Sequence, residues 1–556
     1  MGMKRIPILL FIAFAAIFAQ APGARYMIIT HDNFYDDILP LAAWKHRKGI
    51  TTKIAKLSEI GSDSVSIRNY IINAYNTWEI KPEFLLLVGA PNFIPFPVIN
   101  GWNTDNYYTN INTTDIYNEI LSGRLTVHNT TEIQTVVHKI LLYERAPYTV
   151  DSLWFKKACL IVRNDYDTGD TVYWNDVHHA KNLMIAAGYD SVDTLASQFG
   201  DNASDVVQRV NSGRGFVMYR GQGVNNWWSP FNVDPHSTAN GPKLPIVMSF
   251  TCRMLGTGSS PAVAEQWFLT GTPTTPRGAA GYFATTTVGG GSITLRRSRV
   301  SRGFFSAIFT DSVRTFGEAC EGGRVNVYMT LNAADEYRGF TTIGDPEMNL
   351  WTDTPCSLRV IHPDAIPTGY ADFFVNVSRP ANSTPIHNAT VCVSGRLDST
   401  VYAVQTTDAD GNAHFTIYPF IIGDNIYVTV TGRNLKPYEG SITTIHTGYE
   451  ELVNNHNLSA VSLEIFPNPG TKRIYISYNS GIIASGFSQA KCNLQIYDAT
   501  GRLVRHFEEN VTIKSNDHTV TWHGNDDSGR ALPGGVYFVV LKTGENTVAK
   551  TATLLE

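Results

Sequence analysis

The sequence predicts an α/β protein: two blocks of parallel sheet with flanking helices, followed by two β-sandwiches. Three observations carry this. From residue 26 onward, short apolar runs alternate with segments of helical spacing. The runs EFLLLVG, FVMYRG and LPIVMSF are predominantly apolar with no polar alternation, as strands covered on both faces are. After residue 356 the period becomes two, with turns such as DADGN at 408–412.

The chain opens on a targeting segment, expected over 1–24. Lys4 and Arg5 form a short positive region, Ile6 to Phe18 is apolar, and small residues follow at Ala19 and Ala21. No later run reaches the roughly 18 apolar residues of a membrane helix, so no transmembrane segment is expected in the mature chain. The first α/β block spans 25–150. Its strands are RYMIIT, TTKIAKL and EFLLLVG. Its helices are DILPLAAWKHRKG, which stops at Gly49, SVSIRNYIINAYNTW, which starts on a serine cap, and EIQTVVHKILLYERAP, which Pro147 ends. The second block spans 151–352. ACLIVRND, FVMYRG, LPIVMSF and GAAGYFATTT are strands, and WNDVHHAKNLMIAAG is a helix with a glycine stop. A β-sandwich follows over 356–445, a polar linker over 446–460 and a second β-sandwich over 461–556.

Composition bounds the function. A chain of 556 residues exceeds one hydrophobic core, and 43% hydrophobic content reads as globular. A net charge of -5 without long like-charge blocks gives no reason to expect nucleic acid or an anionic membrane as partner. The six cysteines are scattered, with no spacing that suggests a disulfide framework or a zinc site.

Parallel sheets present ligands at the C-terminal ends of their strands. In the second block those ends carry Gln222, Cys252 and Thr285 to Thr287. A cysteine nucleophile needs a base, and an amide has no titratable proton to give. Trp227 and Trp228 are candidates to line a substrate groove, or are simply packing. Asp165, Asp167 and Asp170 are candidate ligands for a structural calcium ion, or form a solvated acidic loop.

The ordered motifs YMIITHDNF, LAAWKHRKG, EFLLLVGAPNFIPF, TDNYYT, FVMYRGQG, LPIVMSFTC and GDPEMNLW resemble the gingipain-type cysteine peptidases over about residues 26–352. That resemblance implies a caspase-like α/β fold, a protein or peptide substrate and no required cofactor. It places the nucleophile on Cys252 and oxyanion donors at the backbone near Gly223 and Cys252. The expected histidine, in a Gly-His-Gly turn, falls on Gln222. The sandwich at 356–445 resembles the immunoglobulin-like domain that follows the catalytic domain in that family. FPNP, YDATGRLV and GGVYFVVL resemble the C-terminal sorting domains of type IX secretion, which implies a bacterial, secreted or surface protein that meets the secretion machinery through its tail.

Three further departures follow from the resemblance. VGGGS, Val288 to Ser292, stands where gingipains hold a specificity tryptophan. No aspartate near the WNDVHHAKNLM helix is in register with the arginine-specific members. The block starts almost directly after the leader, where the family's zymogens carry a propeptide. His236, in the loop between the Gln222 and Cys252 strands, is the candidate substitute base. The expectation is a cysteine endopeptidase homologue of weak or lost activity. The alternatives are a pseudopeptidase that binds peptides or proteins, and a structural surface module.

Overall fold

The structure, a computed structural model, describes residues 23–256, 261–289, 293–445 and most of 462–555. The expected leader, except Gly23 and Ala24, and the expected linker lie outside the described residues. Ten strands form one sheet: β1 (Tyr26–Thr30), β2 (Thr52–Lys56), β3 (Phe84–Val88), β4 (Leu121–Leu125), β5 (Lys157–Val162), β6 (Ser191–Ala196), β7 (Phe216–Arg220), β8 (Ile246–Phe250), β9 (Gly281–Thr285) and β10 (Phe340–Ile343). Their order is β2-β1-β3-β4-β10-β9-β8-β7-β5-β6. The predominantly apolar runs behave as expected: β1, β3, β7, β8, β9 and β10 are buried along their whole length.

The two predicted blocks are therefore halves of a single sheet. β10 is the joint, parallel to β4 and antiparallel to β9, while every other neighbouring pair is parallel. The halves consequently run in opposite directions. The C-terminal ends of β7, β8 and β9 share one edge, and His31, just past β1, lies at the other.

Helices cover both faces: α1 (Tyr35–Arg47), α2 (Ser64–Thr77), α3 (Thr130–Glu144), α4 (Gly169–Ala186), α5 (Ala203–Asn211), α6 (Val263–Leu269), α7 (Ile293–Phe309), α8 (Phe316–Leu331) and α9 (Ala334–Gly339). Asp63, not the serine after it, caps α2, its carboxylate accepting from the amides of Val65 and Ser66. α4 begins at Gly169, well before the expected Trp174, which brings Asp170 into its first turn.

The GDPEMNLW motif anchors the two halves. Lys45 of α1 is fully buried, its ammonium 2.5 Å from Asp345, 2.7 Å from Glu144 and 2.7 Å from Glu347. Lys48 adds contacts to Glu144 and Glu347. Buried charges are tolerated only when paired in this way.

Residues 359–445 form two sheets, of three and five strands, around a shared core that includes Val375, Phe415, Val391 and Val428. The described residues of 462–554 form two further sheets around Leu463, Ile476, Ile496, Trp522 and Val539. Among the described residues no helix is long and apolar enough to cross a membrane.

Candidate active site

β7 and β8 are parallel neighbours whose last residues, Arg220 and Phe250, are in register. Two residues further along each strand stand Gln222 and Cys252, so the register sets them level at one edge of the sheet. Arg220, itself buried, fixes these ends. It donates to Asp176 of α4 at 2.8 Å, to the Phe250 carbonyl at 2.6 Å and to the Thr294 carbonyl at the start of α7 at 2.7 Å. Gly221 permits the exit from β7: a Cβ there would stand 2.5 Å from that of Arg163. The chain then folds into a tight hairpin, with Gly223 opposite Trp227 and Val224 opposite Asn226. Beyond Cys252, the amides of Arg253 and Met254 bond to the carbonyls of Thr287 and Thr285 and pin this segment to the end of β9.

These ends border a cavity of about 580 Å³, lined by Gln222, Gly223, Trp228, Cys252, Asp167, Tyr173 and Arg297 among others. Gln222 Nε2 donates to Asp167 Oδ2 at 3.2 Å, and its backbone carbonyl accepts from the Tyr219 hydroxyl at 2.5 Å. Cys252 is partly exposed. Its sulfur lies 2.8 Å from Arg297 Nη1 and 3.5 Å from the Gly289 carbonyl oxygen. Cys159, Cys320 and Cys392 are buried, and burial pushes each thiol up to about 12.

The structure brings together Cys252, Gln222, Gly223, Trp228 and Asp167 at the cavity and leaves Trp227 and His236 outside it. Trp227 does not line the cavity. It points into the core, its indole donating to Ser249 at 2.6 Å, because neighbouring residues of a strand face opposite ways. His236 is largely exposed in the Pro235–Ser237 turn, its Nδ1 3.0 Å from Asp234, and does not line the cavity. Among the described residues, no histidine borders the cavity.

The three candidate calcium ligands do not converge. Asp165 pairs with Arg163. Asp170 accepts from the amides of Asp165 at 2.7 Å and Tyr166 at 3.0 Å, and Asp167 takes the amide of Gly169 and the Gln222 carboxamide. Among the described residues, no group of three or more His, Cys, Asp or Glu is placed to hold a metal ion. Sequence reasoning missed Arg297. Its only signal was the arginine run LRRSR after the glycine stretch, and nothing in that run says which arginine turns inward.

Residues 19–351 match the model of peptidase family C25, and residues 464–554 match that of a secretion system C-terminal sorting domain. Gingipain R1 of Porphyromonas gingivalis is 23% identical over 444 residues, covering 78% of this chain and 43% of that protein. Lys-gingipain of the same organism is 25% identical over 232 residues, covering 39% of this chain and 12% of that protein. The chain thus spans less than half the length of these curated relatives. The crystal structure of the Arg-specific cysteine proteinase gingipain R superposes with a TM-score of 0.68 at 21% identity, covering 77% of this chain and 99% of that one. That likeness establishes the fold. The tail match and the gingipain relatives mark a secreted or cell-surface protein.

Proposed function

The chain belongs to peptidase family C25, and from that premise we propose that Cys252 is its nucleophile while Gln222 leaves peptide-bond hydrolysis weak or lost. The observation that carries this reading is the Gln222 carboxamide in the cavity, bonded to Asp167, with no histidine in the lining among the described residues. In a cysteine peptidase the histidine draws the proton from the thiol and later protonates the departing amine. An amide does neither. Loss of one member of such a unit costs on the order of 10⁴ to 10⁶ in turnover. Gly223 beside Cys252 supports backbone stabilisation of an oxyanion on the family pattern. His236, exposed and outside the cavity, has little to support it as a substitute base.

A second reading, a peptide-binding protein without turnover, is favoured by Trp228, which presents an accessible indole to the cavity. In either case the tail at 464–554 is the part that meets the secretion machinery. The test is turnover of fluorescent casein by the full chain beside Cys252→Ala. Equal rates are expected within error. Cys252-dependent turnover at ordinary peptidase rates, on the order of 1 s⁻¹ or more, would refute the proposed loss.

A further inference from the structure

Arg297 stands near the start of α7, and its side chain is almost wholly buried. Nη1 approaches the Cys252 sulfur to 2.8 Å, within hydrogen-bond reach. Nη2 donates to the carbonyl and hydroxyl oxygens of Thr287, both at 3.3 Å, and Nε faces Glu336 Oε2 at 3.5 Å. Glu336 in turn accepts from the Thr287 hydroxyl at 2.6 Å. A guanidinium stays protonated inside a protein, so the sulfur carries a fixed positive charge against it. Other ionisable groups at this end, among the described residues, are Asp167 at Gln222, Tyr173, Arg220 with its partner Asp176, Arg253, bonded to Asn225, Arg163 over Trp228 with its partner Asp165, and Asp170.

We propose that Arg297 is a catalytic residue that holds the Cys252 sulfur as a thiolate, and that the site therefore accepts acyl groups from activated esters and thioesters but not from amides. This rests on the reading of Cys252 as nucleophile. A histidine supplies two things, a thiolate and a proton for the leaving group. Arg297 supplies the first. An amine departs only when protonated, whereas a phenolate or thiolate departs with its electron pair and no proton.

In the first step Sγ adds to the acyl carbon, the bond to the leaving oxygen or sulfur breaks, and that atom keeps the pair. In the second, water adds to the thioester carbon, the C–S bond breaks with the pair returning to sulfur, and the proton passes to solvent. Gln222 cannot take that proton, so the second step is slow and the acyl-enzyme accumulates, giving a burst.

The test uses the full chain with p-nitrophenyl acetate and with p-nitroacetanilide, which carries the same acyl group on an amide. The expected result is a burst of about one nitrophenolate per chain, absent in Cys252→Ala, with no nitroaniline. The burst rate should change less than about threefold from pH 6 to 8, whereas that of Arg297→Gln should rise about tenfold per unit over the same range, as for an ordinary thiol. Arg297→Lys, which keeps a charge, and Glu336→Gln, which removes the competing carboxylate, should both retain the flat profile.

An Arg297→Gln profile equal to the wild type overturns the proposal. So does a wild-type rate that itself climbs about tenfold per unit, which decides the matter even if Arg297→Gln fails to fold. Cys252-dependent release of nitroaniline overturns the restriction to esters and thioesters. A burst that survives in Cys252→Ala refutes the nucleophile itself, a different failure from loss of the Arg297 effect alone.

Discussion

The indole of Trp227 lies flat against the ring of Tyr219, with centroids 4.8 Å apart and planes 5° from parallel. The Tyr219 hydroxyl reaches the Gln222 carbonyl, so this stack supports the hairpin from beneath. Trp228, the next residue, is 43% exposed and faces the cavity. Trp227→Ala should therefore cost about 3–5 kcal/mol in urea unfolding. Trp228→Ala should change stability by no more than about 0.5 kcal/mol while weakening peptide binding measured by fluorescence anisotropy. Equal stability losses would show that both indoles are packing residues.

Glu265 makes the α/β unit sensitive to neutral pH. Burial pushes its carboxyl up to about 7, against the amides of Ala262 and Gly256, which favour the ionised form. A folded-state value above the unfolded one means the folded chain holds the proton more tightly between about 4.5 and 7. Its contribution is thus present in full below about 4.5 and lost as pH rises through about 7, amounting to at most about 3 kcal/mol. Glu265→Gln should flatten the fall in melting temperature between pH 5 and pH 8. An unchanged slope would show that another group is responsible.

The cluster around Lys45 should behave as a structural joint. In it, burial pushes the Glu144 carboxyl up, but Lys45 and Lys48 outweigh this and hold it at about 2. Lys45→Met would leave Glu144 and Glu347 to Lys48, and Asp345 to the Tyr26 hydroxyl, at a cost of about 3–5 kcal/mol. Because the groups are buried, the loss should be nearly the same in low and high salt. A loss below about 1 kcal/mol, or one that salt erases, would place this cluster with ordinary surface pairs.

Much of this was legible in the sequence. Uninterrupted apolar runs locate the buried strands because covering both faces of a sheet leaves no polar alternation, and the strand ends locate Gln222 and Cys252. The joining of two blocks into one sheet was not legible. It depends on β10 pairing with both β4 and β9, and nothing local to FTTI specifies those partners. Trp227 and Trp228 could have been separated by the alternation of a strand, but a two-residue strand gives that signal no length. Arg297 was hidden because its role depends on how α7 docks.

On the proposed reading, one side chain, Gln222, separates this site from peptide hydrolysis. The most direct measurement is cleavage of fluorescent casein by Gln222→His, beside the native chain and the Gln222→His/Cys252→Ala double variant. An imidazole there would stand near the Asp167 carboxylate, which now receives the Gln222 amide at 3.2 Å. A rise of about 10² to 10⁴-fold over the native chain is expected, abolished in the double variant. A folded Gln222→His that cleaves no faster than the double variant, or a native chain that already cleaves as fast as Gln222→His, would show that Gln222 is not what limits this site.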